Sequence, residues 1–185
     1  MENQVLEKKD YTQSGLSHDE YDNCTFVECD LSNTNLSGIT FLESHFKGCN
    51  LSMALVRNTS FKEVAFTDCK LLGVNFSECN DFLLALSFSN CLLNLSSFFQ
   101  LKLPSTNFQN CSLHETDFIE TDLSKAVFDN CDMYRAVFEN SNLEKADFRS
   151  SYNFIIDPER NKLKKALFST SGIAGLLQGY DIIIE

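Results

Sequence analysis

Large apolar residues recur at every fifth position from Leu16 onward, through Tyr21, Phe26, Leu31, Leu36, Phe41, Phe46, Leu51, Val56, Phe61, Phe66, Leu71 and Phe76. The phase then slips by two residues and resumes at Leu83. It continues through Phe88, Leu93, Phe98, Leu103, Phe108, Leu113, Phe118, Leu123, Phe128, Met133, Phe138, Leu143 and Phe148. A period of five fits neither regular element. Five residues of α-helix advance about 500°, which would smear the large side chains around the cylinder. On a strand an odd period sends them alternately to opposite faces. The pattern predicts a coil that turns a corner every five residues and aims the same repeat position inward each time.

The residue two before each large one is mostly small, as an inward position sharing the interior with Phe or Leu must be. All eight cysteines fall in this register, counting Cys79 beside the slip. Their spacing gives the number of sides. Cys29, Cys49 and Cys69 are 20 residues apart, as are Cys91, Cys111 and Cys131, and the step across the slip is 22. Phe26, Phe46, Phe66, Phe88, Phe108, Phe128 and Phe148 form an all-Phe column at the same spacing. Each coil therefore has four sides of five residues, and two extra residues loop out at about 77–82. Coils stacked at the usual strand spacing of about 4.8 Å make residues 16–153 a rod of about 33 Å. The fold class expected is all-β, a right-handed quadrilateral β-helix. Residues 1–15 are a lead-in and 154–185 a C-terminal cap and dimerisation segment.

Composition mainly excludes. The formal net charge of −11 opposes direct binding to nucleic acid or to an anionic membrane. The uncharged run from Phe82 to Leu101 has the length of a membrane span, but Ser87, Ser89, Asn90, Asn94, Ser96, Ser97 and Gln100 are too polar for lipid. A polar, charged start without a signal-peptide pattern points to a cytoplasmic protein with reduced thiols. His18, His45 and His114 show no metal-ligand spacing, and cysteines aimed inward among Phe and Leu would be dry and unactivated. With no glycine-rich phosphate loop and no nucleophile elbow, neither catalysis, a metal nor a cofactor is expected.

After Tyr152 the rhythm stops. Ser171 is a candidate N-cap for a short helix over Gly172 to Gln178, and Ile182 to Ile184 read as a strand. Phe168, Ile173, Leu176 and Leu177 form one apolar face, joined by Ile182 and Ile183. Such a face either caps the bore or caps it and also dimerises.

The segments Thr-Asn-Leu-Ser-Gly at 34–38, Thr-Asp-Leu-Ser-Lys at 121–125 and Ala-Asp-Phe-Arg-Ser at 146–150 match the consensus A-(D/N)-L-x-x. The chain resembles the pentapeptide repeat family over about three quarters of its length. Cys69-Lys-Leu-Leu-Gly-Val-Asn-Phe, Asp157-Pro158, Ala166-x-Phe168-Ser169 and Gly175-Leu-Leu are similar to the subgroup of Qnr, MfpA and the microcin immunity protein. That resemblance implies a homodimer joined through the C-terminus, and an acidic rod that imitates the DNA gripped by a bacterial type II topoisomerase, DNA gyrase. The residues expected to bind that partner are Glu115, Asp117, Glu120, Asp122, Asp129, Asp132, Glu139 and Glu144, near the supposed dimer end. Their bland alternative is a set of solvated corners. Some Qnr proteins carry long loops, whereas this chain has only a two-residue slip, which favours simple DNA-like binding over drug rescue. A rival reading rests on outward apolar residues at mid-rod, Met53, Leu55, Leu72, Leu92, Leu95 and Phe99, which fit a general interaction scaffold.

Overall fold

The computed structural model describes residues 1–180 together with 182 and 183. The chain winds as the expected four-sided coil. Among the described residues one face carries the strands β1 (Val5–Glu7), β3 (Thr25–Val27), β5 (His45–Lys47), β7 (Val64–Thr67), β8 (Leu86–Ser89), β9 (Asn107–Gln109) and β10 (Val127–Asp129), all in parallel register. The preceding face carries β2 (Glu20–Asp22), β4 (Thr40–Leu42) and β6 (Ser60–Lys62). Isolated parallel bridges continue the ladders elsewhere, such as Asp30 with Asn50 and Asn35 with Leu55. The faces are called first, second, third and fourth in chain order, after Tyr21, Phe26, Leu31 and Leu36.

The five-residue period has a local cause. The last residue of most sides takes a positive φ, as at Asn23 (48°), Glu28 (50°), Asn33 (54°) and Gly38 (76°), and this left-handed step turns the corner. The Asp or Asn before the large residue caps the turn. Asp30 Oδ1 accepts the Ser32 N–H at 2.9 Å, Asn35 the Ser37 N–H at 3.0 Å and Asp122 the Ser124 N–H at 3.0 Å. These are Asx turns, in which a short side chain satisfies an amide that the corner leaves free. Part of the chain's acidity is therefore spent on folding.

Inside, the Phe column of the second face stacks ring on ring, with centroids 4.6 Å apart for Phe26 and Phe46 and 4.9 Å for Phe108 and Phe128. The small column is polar yet satisfied. Thr59 Oγ1 donates to the Leu36 carbonyl at 2.7 Å, and Thr121 Oγ1 to that of Phe98 at 2.9 Å. The thiols do the same, Cys69 Sγ donating to the Phe46 carbonyl at 3.4 Å. Ser, Thr and Cys thus share one site with Ala because each can reach the previous coil's carbonyl. All eight cysteines are buried and free. Burial pushes the Cys79 thiol up to about 12. The next thiol in the column, followed by burial, pushes Cys91 and Cys111 up to about 12. Such thiols are poor nucleophiles.

The boundaries differ from expectation in three places. Residues 1–15 are no lead-in but the first coil. Met1, Leu6, Tyr11 and Leu16 pack on the core in the same five-residue step, β1 pairs with β3, and Glu2 bridges Asp22. Charged neighbours such as Lys8, Lys9 and Asp10 hide that rhythm in the sequence.

The slip lies later than expected. Asn80 still pairs with Ser60, and the bulge occupies 81–85, before Leu86 resumes opposite Val64. Leu83 is therefore not inward. It is 64% exposed with φ 58°, and Leu84 packs on the core instead.

The coil also runs past 153. Asp147 bridges Leu167, and Phe168 stacks on Phe148 at 5.2 Å. From β1 to Leu167 there are eight coil-to-coil steps, a rod of about 38 Å at the usual strand spacing.

At the C-terminal end, the helix α1 (Ala174–Leu177) is one turn long, between 3-10 turns at Thr170–Gly172 and Gln178–Tyr180. Its approach is capped by Ser169, whose Oγ accepts the Gly172 N–H at 3.1 Å, and not by Ser171. The segment lies close on the coil. Ile156 N–H donates to the Gly175 carbonyl at 3.0 Å, and a Cβ on Gly175 would run into the Phe154 carbonyl. Ile182 and Ile183 are exposed and not in a strand; Ile184 lies outside the described residues.

Candidate partner-binding surface

The outward positions of the coil carry the charge, and the register places every one of them. The eight expected contact residues are spread around the rod. Asp122 and Glu144 lie on the first face, Asp129 on the second, Glu115 and Asp132 on the third, and Asp117, Glu120 and Glu139 on the fourth. Only the fourth face and its corner with the third bring several together: Glu115, Asp117, Glu120 and Glu139.

Local chemistry separates these carboxylates further. Asp117, Asp122 and Asp132 cap turns, accepting the N–H of Ile119, Ser124 and Tyr134. Asp117 also accepts from Ser97 Oγ at 3.0 Å, Glu120 from Gln100 Nε2 at 2.7 Å, and Asp129 from Ser150 Oγ at 2.9 Å. Glu139 lies 3.4 Å from Arg160. His114 Nε2 sits 2.8 Å from Asp132 Oδ2, in ion-pair range but off the line of a hydrogen bond. Burial works against ionising Asp132, but the His114 and Asn153 side chains outweigh it and hold the carboxyl below its ordinary value. Glu115 and Glu144 have no side-chain partner among the described residues.

A feature not anticipated from the sequence is the polarity of the first face. Before the bulge and on it, this face presents Glu2, Asp19, Glu20, Asp22, Glu43, Glu63 and Asp81 against Lys62 alone. After the bulge it presents Lys102, Lys125, Lys145, Lys162, Lys164 and Lys165 against Asp122 and Glu144. All six lysines are exposed, and none is ion-paired within the described chain. The signal was in the sequence as the 20-residue spacing of Lys125, Lys145 and Lys165, but a count by sequence blocks averages it away.

The C-terminal apolar set divides. Phe168 and Leu176 pack on the core, Leu177 is half-buried, and Ile173, Ile182 and Ile183 are exposed. Mid-rod, Met53, Leu55, Leu92, Leu95 and Phe99 are exposed on the third and fourth faces, with Leu72 half-buried. Met53 folds over Gly73, where an added Cβ would meet its sulfur at 2.5 Å.

Residues 20–98 match the family described as pentapeptide repeat region, and residues 91–130 and 111–149 match pentapeptide repeats of eight copies. The chain belongs to the pentapeptide repeat proteins. Two trypsin-treated forms of QnrB1, a plasmid-mediated fluoroquinolone resistance protein, share the fold of this pentapeptide repeat rod. One aligns with TM-score 0.67 and 18% identity over 98% of each chain. The other aligns with TM-score 0.61 and 20% identity over 100% of this chain and 98% of its own. No curated protein matches in sequence. Among the described residues no helix is long and apolar enough to cross a membrane.

Proposed function

We propose that this pentapeptide repeat protein is a DNA-mimicking acidic rod that binds a bacterial type II topoisomerase, DNA gyrase, and modulates it or shields it from an inhibitor or toxin. It acts by presenting charge and carries out no reaction of its own. The observation that supports this reading is the group of carboxylates on the fourth face and its corners. Glu115, Asp117 and Glu120 stand on one coil and Glu139 on the next. The coil step of about 4.8 Å is of the same order as the 3.4 Å per phosphate along one DNA strand. The remaining members of the expected set, Asp122, Asp129, Asp132 and Glu144, flank this group on the other faces. The QnrB1 likeness at the level of the fold, and that protein's role in fluoroquinolone resistance, agree with such a partner. The bulge at 81–85 adds only two residues, so a drug-independent grip on the enzyme fits better than a loop-mediated rescue. The C-terminal segment serves in this reading as the end of a homodimer, through Ile173, Ile182 and Ile183 with Leu177 beside them, while Phe168 and Leu176 seal the bore.

A second reading, a scaffold for another protein, is favoured by the mid-rod apolar corner around Met53 and Leu95. A supercoiling assay with purified gyrase decides between them. Glu115→Lys, Glu120→Lys and Glu139→Lys together should abolish the effect on gyrase and leave the coil folded. Leu95→Lys should leave the effect intact. If the chain has no effect on gyrase at low salt, the topoisomerase reading is wrong.

A further inference from the structure

The first face changes sign at the bulge, and the bulge stands at its midpoint. Four levels of coil precede it, ending with Phe61, and four follow it, from Leu103 to Leu163. We infer that this face docks on a second copy of the chain. Two rods lie side by side and antiparallel, related by a two-fold axis through Phe82 and Leu83.

Such an axis maps each level onto the level equally far beyond the bulge. Glu2 then faces the copy's Lys162, Lys164 and Lys165; Glu20 faces Lys145; Glu43 faces Lys125; Glu63 faces Lys102. Acid meets base at every level, and the symmetry repeats each pairing on the other side of the axis. This is what an isologous contact requires, since the same patch must complement itself. A parallel arrangement would set like charge on like charge.

On the axis itself the face is apolar. Phe82 is 66% and Leu83 64% exposed, far from the core, and each would meet its own copy. The backbone turn that presents them is well defined, with Phe82 N–H donated to Asn80 Oδ1 at 3.0 Å and Leu84 N–H to the Asp81 carbonyl at 3.3 Å. Three groups run against the trend, Lys62, Asp122 and Glu144, the last at the level mapped onto Glu20 and Asp22. Asp122 is already engaged by Asn142 Nδ2 at 2.9 Å.

The lysine corner gives a further reason for a partner. Lys125, Lys145 and Lys165 repeat on successive coils, so like charges stand about 4.8 Å apart at their backbones with no acid of their own chain paired to them. A facing row of carboxylates relieves that repulsion. Three outward positions on each of nine levels give roughly 27 residues a side, within the about 20–30 of a standard interface. The fourth-face carboxylates stay outside this contact, while Asp122 and Glu144 fall within it; the contact is separate from the C-terminal one of the topoisomerase reading and is tested with that one removed.

Ile173→Asp with Ile183→Asp removes the C-terminal contact of the proposed homodimer, and sedimentation of that variant at low salt should still give twice 21.0 kDa, reverting towards monomer as salt screens the first-face contact. Small-angle scattering of that variant should show a particle about one rod long, not two. Two variant sets sharpen the test. Lys125→Glu, Lys145→Glu and Lys165→Glu make the face acidic throughout. Glu20→Lys, Glu43→Lys and Glu63→Lys remove the acidic half. Glu and Lys already occupy equivalent corners at Glu28 and Lys125, both at positive φ, and Glu20 holds the outward position before the large residue that Lys102 holds beyond the bulge, so the coil should tolerate both sets. Placed on the Ile173→Asp, Ile183→Asp variant, each set should give a monomer, and a 1:1 mixture should recover a heterodimer. The inference is overturned if the Ile173→Asp, Ile183→Asp variant is monomeric at tens of micromolar. It is equally overturned if that variant's dimer survives both sets.

Discussion

On the N-terminal side of the bulge the second aromatic column lies on the first face, as Tyr21, Phe41 and Phe61. It moves to the fourth face with Phe76, just before the bulge, and continues there on the C-terminal side as Phe98, Phe118 and Phe138. The second-face Phe column runs through both halves. In each half the two columns meet edge to face, at 5.2 Å for Phe41 and Phe46 and 6.0 Å for Phe98 and Phe108. The bore thus holds two columns of rings and two of smaller residues, but which neighbour of the second face supplies the second column is free. The exchange happens at one place. Phe76 already lies 6.0 Å from Phe61 and stacks on Phe98 at 4.9 Å. No ring is needed at 81, where an exposed Asp stands and the backbone can bulge. The break in phase and the change of column are one event in the packing.

The sharpest way to test that division is to remove a ring that both halves share. Phe108→Ala and Phe46→Ala should each cost about 3–5 kcal/mol, the range for emptying a packed aromatic site. Both rings are fully buried. Equal losses by chemical denaturation would show that the halves differ only in where the second column sits. A loss under about 1 kcal/mol at either site would contradict the stacked column.

Erasing the boundary should have a smaller effect and the opposite sign. Deleting Asp81 and Phe82 restores the 20-residue step, and Leu83 then takes the central position opposite Phe61. Burying a leucine contributes up to about 1.5–3 kcal/mol, offset in part by repacking of Leu84. Thermal unfolding should therefore shift upward. A marked fall would mean that the bulge is required by the change of column, and is not merely permitted by it.

The coil itself was legible because its inward side chains repeat at a fixed step and the interior admits only apolar or small groups there. What escaped was local. The first coil was hidden because Met1, Leu6 and Tyr11 keep the step among charged neighbours. The bulge was misplaced because Leu83 fits the apolar count while its neighbour Leu84 reaches the core. The surface was least legible. Asp117, Asp122 and Asp132 read as free acid, but they sit at the turn-capping position, and charge summed along the chain conceals faces that differ in sign. Register, once known, sorts all of these.

The turn-capping role predicts a modest cost that separates shape from charge. Asp30→Ala in the N-terminal half and Asp122→Ala in the C-terminal half each leave one corner amide without its acceptor. Each should lose about 0.5–1.5 kcal/mol, the usual net worth of such a bond. Asp30→Asn and Asp122→Asn keep the acceptor and should be close to neutral, as Asn35 and Asn142 already serve this way. If the Asn variants destabilise as much as the Ala variants, the carboxylate's charge matters and the capping account fails.

The smallest expected effect is with acid. Arg149, bound to Asp147 with Nη2 to Oδ2 at 2.7 Å, holds that carboxyl below its ordinary value of 3.8. Asp132 is lowered beside His114 and Asn153, and Asp10 by its bonds from Thr12. A group whose folded value is lowered prefers the ionised form in the fold. Its contribution is complete above the unfolded value and is lost as pH falls through the lowered one. The unfolding midpoint should thus be flat down to about pH 4 and then decline. Two of the three groups belong to the C-terminal half, so amides of the last coils, from Cys131 to Ser151, should gain hydrogen-exchange rate before those around Cys49 and Cys69. Asp147→Asn should flatten part of the decline while leaving the neutral-pH midpoint slightly lower, because Arg149 loses its partner. An acid-induced loosening that begins in the N-terminal coils would place the sensitive carboxylates on the other side of the bulge.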